Sequence, residues 1–544
     1  MEADRGQVND TITADCYPVT VAPGLNRLFL DFCAGALPGL LPTQENWQDR
    51  PAIPAHWPDV VRLLAAQNPS PSAAGALAAL EHGAGTVLTG QQAGLFGGPL
   101  YTPYKAATAI ARARHGAASG RPHVAVFWVA SEDHDFAEID HVAFPAGREL
   151  AELKYTNTPS AALPACRIAF DETITPLVER ATELLGPSDT TEALAAAYKP
   201  GRTFAEAFAE FYAKIFAAQG LLIVDASGRE FHRLGAPVLR AAIERADEFH
   251  AALVERGEAL VAAGYHAQVA VAEHSSLLFL MDGKSGARLA LKRTPPSAAE
   301  PGGVWQAAAP EGTQRFSTGE LLGILDAEPE RISPAALLRP VFQDFIFASS
   351  AQIAGPAEIA YLAQSAVLFE RILGRQTPPM ARFSATLIEP PIANLLRKHE
   401  LTLEQIFSGN ATDLAQRLAA RSMPPETKRK LAAAGNALDA ELVTLVDWMQ
   451  AQDKGLGQSA DTAAGKIRYQ MNRLRTLAAN FQLQRESTLT RHAESIAQVL
   501  FPGGVLQERV HGAAYYFARY GLGLVEMLCE QAGNSCPGHT AMWL

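Results

Sequence analysis

An α/β fold with a mostly parallel sheet, joined to a separate helical region, is predicted by three observations. Apolar β-rich runs alternate with amphipathic segments from about residue 60 to 385. The run Val124-Ala-Val-Phe-Trp-Val-Ala130 is apolar throughout, as a central strand covered on both faces requires. Beyond Pro390-Pro391 the apolar spacing changes to steps of three and four, which is helical.

The strands expected in the α/β part are Thr86 to Thr89, His123 to Ala130 and Leu221 to Ala226. Helices are expected at Tyr104 to Ala113, Thr203 to Ala218 and Ala236 to Gly264. Between Tyr265 and Arg293 two short apolar strands flank Asp282-Gly-Lys-Ser-Gly286, which reads as an inserted β-hairpin. Thr294 to Gly303 is a loop on composition. Leu431, Leu438, Leu442, Leu445 and Met449 form one seam, with Gly435 in it, and Ile467, Met471, Leu474, Ala478 and Phe481 form a second. The turn signal Asp453-Lys-Gly-Leu-Gly lies between them, so a helical hairpin is expected, paired with another helix or subunit or packed as an ordinary bundle. The boundaries are a core over 1–389 carrying the hairpin near 265–293, a coiled-coil domain over 390–505, and a segment over 506–544 that packs back on the core.

A chain of 544 residues exceeds one ordinary core, and 48% hydrophobic with 19% charged residues is a globular composition. The net charge of −11 and the lack of any Lys/Arg block argue against a nucleic-acid partner. The first residues, Met-Glu-Ala-Asp-Arg-Gly-Gln, hold no apolar signal region, and no run of about eighteen apolar residues occurs, so no membrane partner and a cytoplasmic location are expected. Five scattered cysteines (Cys16, Cys33, Cys166, Cys529, Cys536) read as reduced. Cys536 and His539 supply only two ligands, too few for a zinc site, and the metal is unknown.

Three stretches carry the chemistry. Thr89-Gly-Gln-Gln-Ala-Gly-Leu-Phe-Gly-Gly98 leaves a short strand and enters a helix, the place where open α/β sheets bind ligands. Gly90 and Gly98 permit close backbone approach, and the helix start offers N–H groups to a phosphate or carboxylate. It is neither a G-x-G-x-x-G fingerprint nor a Walker A loop. A tight turn would explain the glycines alone; Gln91, Gln92, Tyr101 and Lys105 turn the reading toward a site.

The second stretch, Ser131-Glu-Asp-His-Asp-Phe-Ala-Glu138, crowds Glu132, Asp133, Asp135 and an imidazole, His134, at the carboxyl end of the central strand. Such crowding is costly without a compensating metal, cation or solvent. A base for an amine, a Mg·ATP site and an ammonium pocket all suit it. A solvated helix start would account for the acids but not for His134.

In the third, Arg339, Gln343 and Asp344 precede an apolar run read as a strand, and Gly355-Pro356 opens the next helix with Glu358 and Tyr361 on one face. Arg339 could clamp a carboxylate or phosphate, or make a structural ion pair, and Glu358 could hold an amine. His266 and His274 beside the hairpin read as structural.

Together these stretches, with Leu338-Arg-Pro, Gly355-Pro-Ala-Glu-Ile-Ala-Tyr361 and Leu506-Gln-Glu-Arg509, resemble the cysteine-adding (BshC) family of bacillithiol biosynthesis over most of the chain. The resemblance implies a Rossmann-like core with connecting-peptide insertions, similar to class I aminoacyl-tRNA synthetases and pantothenate synthetase, and a dimerising coiled coil. It implies a reaction as well: a carbon–nitrogen ligase that adds L-cysteine to the amine of glucosaminyl-malate, with ATP and Mg²⁺ as the activating pair. The His-x-Gly-His motif of those nucleotidyl transferases falls on Leu100-Tyr-Thr-Pro-Tyr-Lys105, which carries neither histidine.

On that reading Lys105 and the helix start stabilise phosphate charge, Gln91 and Gln92 orient substrate, and Asp133, His134 or Asp135 binds or deprotonates the amine. The alternative is a nucleotide-binding assembly factor of the same pathway, whose coiled coil recruits the catalyst.

Overall fold

The computed structural model describes residues 13–37, 39–147, 149–294, 303–309, 311–485, 487–534 and 536–544. The N-terminal heptapeptide, and all but the two ends of the loop expected from Thr294 to Gly303, lie outside them. The chain divides into two compact units, the first comprising residues 1–146, 150–385 and 508–541, the second 147–149, 386–507 and 542–544.

In the first unit β1 (Gly85–Gln91) leads through a turn into α1 (Tyr101–Ala118), and then into β2 (His123–Val129) and β3 (Leu222–Asp225). An inserted antiparallel sheet follows: β4 (Ser275–Met281), β5 (Arg288–Thr294), β6 (Val304–Ala309), β7 (Gly312–Phe316) and β8 (Ile332–Pro334), in the order β7-β6-β5-β4-β8. The chain returns through α2 (Arg339–Phe347) to β9 (Ala351–Ala354), α3 (Pro356–Leu373) and β10 (Pro379–Ala381). The core sheet runs β10-β9-β1-β2-β3 with all neighbours parallel.

Burial explains the pattern. Every residue of β2 is buried, and the Trp128 ring meets Phe342 and Phe347 edge-on at 6.2 Å. Each large apolar side chain so covered contributes roughly 1.5–3 kcal/mol. Gly90 faces Trp128 so closely that an added Cβ would stand 2.6 Å from the Trp128 carbonyl oxygen, so the sheet itself requires glycine there.

Several sequence expectations are corrected. The hairpin is real, with Met281 opposite Arg288, but it is half of a five-stranded sheet. The expected helix from Ala236 to Gly264 is two helices, Arg229–Glu244 and Ala246–Ala262, broken at Arg245. The apolar run after Asp344 is helix, because Pro340 pre-sets the first turn and the helix continues to a left-handed stop at Ala348. A short apolar run carries no periodicity that distinguishes the two.

Cys16 and Cys536 form a disulfide, so the reduced reading holds only for Cys33, Cys166 and Cys529. The pair is separated by 520 positions and meets because the first described strand, Thr13–Tyr17, lies beside the last, His539–Trp543. Spacing along the chain carries no trace of such a juxtaposition.

The second unit contains the helical hairpin, α4 (Pro425–Gln452) and α5 (Lys454–Arg485). Leu442, Gly435, Ala464 and Ala479 are buried, while Leu445, Ile467, Leu474 and Phe481 are exposed. The second predicted seam is therefore only partly consumed within the hairpin. No helix among the described residues is long and apolar enough to cross a membrane.

Candidate active site

The strand order reverses between β1 and β9: the chain moves outward from β1 to β2 and β3, then returns to build β9 and β10 on the other side. The crevice beyond the carboxyl ends of these two strands is the switch point where open α/β sheets take ligands. Lys105 of α1 and Glu358 of α3 meet there, 2.7 Å apart. Lys105 also donates to the Gly90 carbonyl at 2.5 Å and to Gln91 Oε1 at 3.0 Å, which uses all three ammonium protons. Burial pulls its pKa down and Glu358 pushes back.

Glu358 accepts from the Gly355 N–H at 2.6 Å and from the Tyr361 hydroxyl at 3.5 Å. Gln91 donates to the Tyr101 hydroxyl at 3.3 Å and to Gln92, and Gln92 donates to Glu138. Two guanidiniums cover the Tyr101 ring, Arg382 at 5.7 Å and Arg509 at 5.8 Å from its centroid. Arg382 is buried and bound to Glu508 at 2.5 Å, and Glu508 also accepts from Ser384 and the Ala385 N–H.

The acidic stretch is wired to arginines and a histidine. Asp133 takes a two-pronged bond from Arg339 and a third contact from Arg288 at 3.3 Å. Burial raises its pKa, but the two guanidiniums win and hold it below the usual carboxylate range. Glu132 pairs with buried His232 at 2.9 Å; burial favours the neutral forms, yet the pair drives Glu132 down and His232 up. His134 stands 3.5 Å from Arg288 and edge-on to Phe279, and burial, then Arg288, lowers its pKa. His134 is thus a neutral imidazole beside the half-buried Phe279 ring, whereas the Asp133 carboxylate is committed to two guanidiniums. Arg339 and Asp133 both act on Tyr361, which joins this cluster to the Lys105–Glu358 pair.

The turn from β1 to α1 makes a poor phosphate cradle, because most of its N–H groups already have acceptors: Gly94 on the Gln92 carbonyl, Leu95 on Ile139, Gly97 on the Tyr198 hydroxyl and Gly98 on Leu95. At the start of α1, Leu100 donates to the His511 carbonyl at 2.9 Å, Thr102 to Pro99, and Pro103 has no N–H. Lys105 has no proton left to offer. The expected role of Lys105 as a phosphate ligand is opposed by its own bonds to Glu358, Gly90 and Gln91, and at the helix start the Leu100 N–H is taken by the C-terminal segment. Asp133 is paired with two guanidiniums and one Glu132 oxygen with His232, and among the described residues no group of three or more His, Cys, Asp or Glu side chains could hold a metal.

Of the residues expected from sequence, Gln91, Gln92, Tyr101, Lys105, Glu358 and Tyr361 form one cluster, and Glu132, Asp133, His134 and Arg339 its neighbour. Asp135 is exposed beside it. Thr89 is a sheet residue, its hydroxyl donating to the Ile353 carbonyl at 3.2 Å, and Gly98 serves the turn. Asp344 faces away, bound to Arg375 at 3.0 Å and to the Ser349 N–H, and Gln343 is buried one position before it in α2. Sequence reasoning missed Arg382, Arg288, His232 and the roles of Glu508 and Arg509. Arg288 alone left a local signal, a cation at the strand end of an otherwise apolar run, Ala287-Arg-Leu-Ala-Leu291.

The chain matches the N-terminal Rossmann-like domain of bacillithiol-biosynthesis BshC over residues 43–382 and its C-terminal coiled-coil domain over 385–542. A relative from Koribacter versatilis (strain Ellin345), named "Putative cysteine ligase BshC", is 40% identical over 96% of this chain and 98% of its own. One of the same name from Solibacter usitatus (strain Ellin6076) is 33% identical over 89% of this chain and 88% of its own. Among solved structures, Mycobacterium tuberculosis methionyl-tRNA synthetase in complex with methionyl-adenylate aligns over 82% of this chain and 90% of that chain, with 11% identity and a TM-score of 0.22, too low to bear on fold or ligand.

Proposed function

Because the chain belongs to the BshC family of bacillithiol biosynthesis and is a ligase, we propose that it joins the carboxyl group of L-cysteine to the amine of glucosaminyl-malate in the cytoplasm, where free cysteine and ATP are pooled. The observation that carries this reading is the switch-point crevice, with the exposed Glu138 offering negative charge to an ammonium group and neutral His134 at its flank.

The acceptor nitrogen must lose a proton before it attacks. His134 takes that proton, the nitrogen forms its bond to the cysteine carbonyl carbon, and the leaving group departs with the electron pair of the bond it breaks. Gln91 and Tyr101 orient the acceptor, and the Arg339–Asp133 pair fixes the wall that His134 stands on.

A free carboxylate does not condense with an amine in water, so the carboxyl group must be activated. ATP with Mg²⁺ is the proposed source, but no step is assigned to it at the 94–102 turn, where most backbone donors already have acceptors. The second reading, an assembly factor that binds nucleotide without turnover, is favoured instead by Leu100-Tyr-Thr-Pro-Tyr-Lys105, which carries neither histidine of the His-x-Gly-His motif.

The test is purified protein with cysteine, glucosaminyl-malate, ATP and Mg²⁺, run beside a reaction given a pre-activated cysteine thioester. Product with stoichiometric AMP or ADP supports the ligase with ATP. Product only from the thioester supports the ligase and removes ATP. Nucleotide binding with no product from either donor overturns the ligase reading in favour of the assembly factor. A homodimer through α4 and α5 belongs to this proposal, supported by the exposed Leu445, Ile467, Leu474 and Phe481.

A further inference from the structure

Four arginines belong to the crevice and its flank, and three make ion pairs with carboxylates. Arg288 and Arg339 share Asp133, and Arg382 is bound to Glu508. Arg509 is exposed, lies over the Tyr101 ring at 5.8 Å, and has no carboxylate partner among the described residues.

Its neighbourhood makes that unusual. Glu508, the residue before it, is 1% exposed and consumed by Arg382, whereas Arg509 is exposed beside Tyr101. Two guanidiniums therefore lie close to one aromatic ring, at 5.7 and 5.8 Å from its centroid, while only one has an anion. Stacking on an aromatic ring holds a guanidinium flat and presents its edge, the geometry that takes a carboxylate by two parallel hydrogen bonds. Across the same ring, the Gln91–Tyr101 hydrogen bond leads to Gln92 and Glu138. The surroundings of Tyr101 are thus polarised, with the Glu138 carboxylate on one side and a guanidinium without a carboxylate partner on the other.

We propose that Arg509 is the specificity-determining residue for the acceptor: it binds a carboxylate of the malyl group and so selects an acidic aminoglycoside over an uncharged one. This rests on the ligase reading above for the identity of the acceptor, and it adds the orientation, with the malyl carboxylates at Arg509 and the amine toward Glu138. Burial raises the Tyr101 pKa while Arg509 and Arg382 lower it, in keeping with both guanidiniums lying close to that hydroxyl.

The experiment compares two acceptors, glucosaminyl-malate and methyl glucosaminide, in the full-length wild type and in Arg509→Gln and Arg509→Lys. Binding of each is measured by calorimetry, and kcat and KM wherever turnover is found. Loss of a charge-assisted bidentate contact is expected to reduce the preference for the acidic acceptor by about 10–100-fold in Arg509→Gln, chiefly through KM and Kd. Arg509→Lys should recover only part of it, because a lysine keeps the charge but not the planar fork. An exposed side chain is not needed for folding, so the thermal transition should not move. The inference is overturned if the wild type binds both acceptors alike, or if Arg509→Gln keeps the wild-type preference. Calorimetry reads the preference without turnover, so failure of the ligase assay is distinguishable from failure of this assignment.

Discussion

Lys105 offers the sharpest test, since the structure gives its ammonium group three partners within the protein. Replacing it with methionine keeps most of the volume but removes the charge and leaves Glu358 and the Gly90 carbonyl without their donor. At an effective dielectric constant of about 20, an ion pair 2.7 Å apart attracts by roughly 6 kcal/mol before desolvation is counted. Lys105 is fully buried while the Glu358 side chain keeps 27% exposure, which lets water take over part of the lost contact. Breaking one side of a buried pair costs about 3–5 kcal/mol, and the exposure of Glu358 brings the expectation to about 2–4 kcal/mol for Lys105→Met. Glu358→Gln in the same background should return 1 kcal/mol or more, roughly, because no uncompensated carboxylate then remains. Urea unfolding followed by tryptophan fluorescence, with Trp128 in the adjoining strand, measures both. If Lys105→Met unfolds within about 0.5 kcal/mol of the wild type, the ammonium group is not locked, and its availability to a phosphate must be reinstated.

Three further outcomes are expected. His539 is buried beside Ser384, and burial, with Arg382 adding to it, lowers its pKa to about 4 against the opposing pull of Glu508. A folded-state pKa below the unfolded value of about 6.5 gives stability that is complete above pH 6.5 or so and lost as pH falls toward 4; about 2 kcal/mol should go between pH 7 and 5, and His539→Asn should flatten that slope in urea titrations. Thiol titration of the unfolded, unreduced protein should find three cysteines, rising to five after reduction; five at the outset would refute the Cys16–Cys536 bond. Sedimentation equilibrium at micromolar concentration should give a dimer that Leu474→Glu with Phe481→Glu converts to monomer, and a wild-type monomer would end the hairpin-interface proposal.

What was legible in the sequence is what depends on neighbours along the chain. The buried strand at 123–130, the hairpin turn at 282–286 and the two helices of the hairpin announce themselves through local pattern, and the structure has them. The three motif stretches were legible too, because each lies at a strand-to-helix junction, the place where open α/β sheets take ligands. Partners were not. That Asp133 is committed to two guanidiniums, or that Glu132 is paired with a histidine one hundred positions on, follows from the topology that folds β5 and α2 over the end of β2. The glycines at 94–98 looked like a cradle because a spent N–H group and a free one are identical in sequence. Asp344 was misassigned for the same reason, since its partner, Arg375, lies in the next βα unit.

The stretch 508–513 closes the N-terminal end of α1 through His511 and supplies Glu508 and Arg509, yet it lies roughly four hundred positions downstream of the helix it completes. During synthesis, nearly the whole sheet can be out of the ribosome while the crevice still lacks its closing wall. A nascent chain that has not yet reached this stretch therefore carries the motif stretches without Glu508 and Arg509. Long-range closures of this kind are slow to find, which makes this short segment the step on which the yield of active protein should depend.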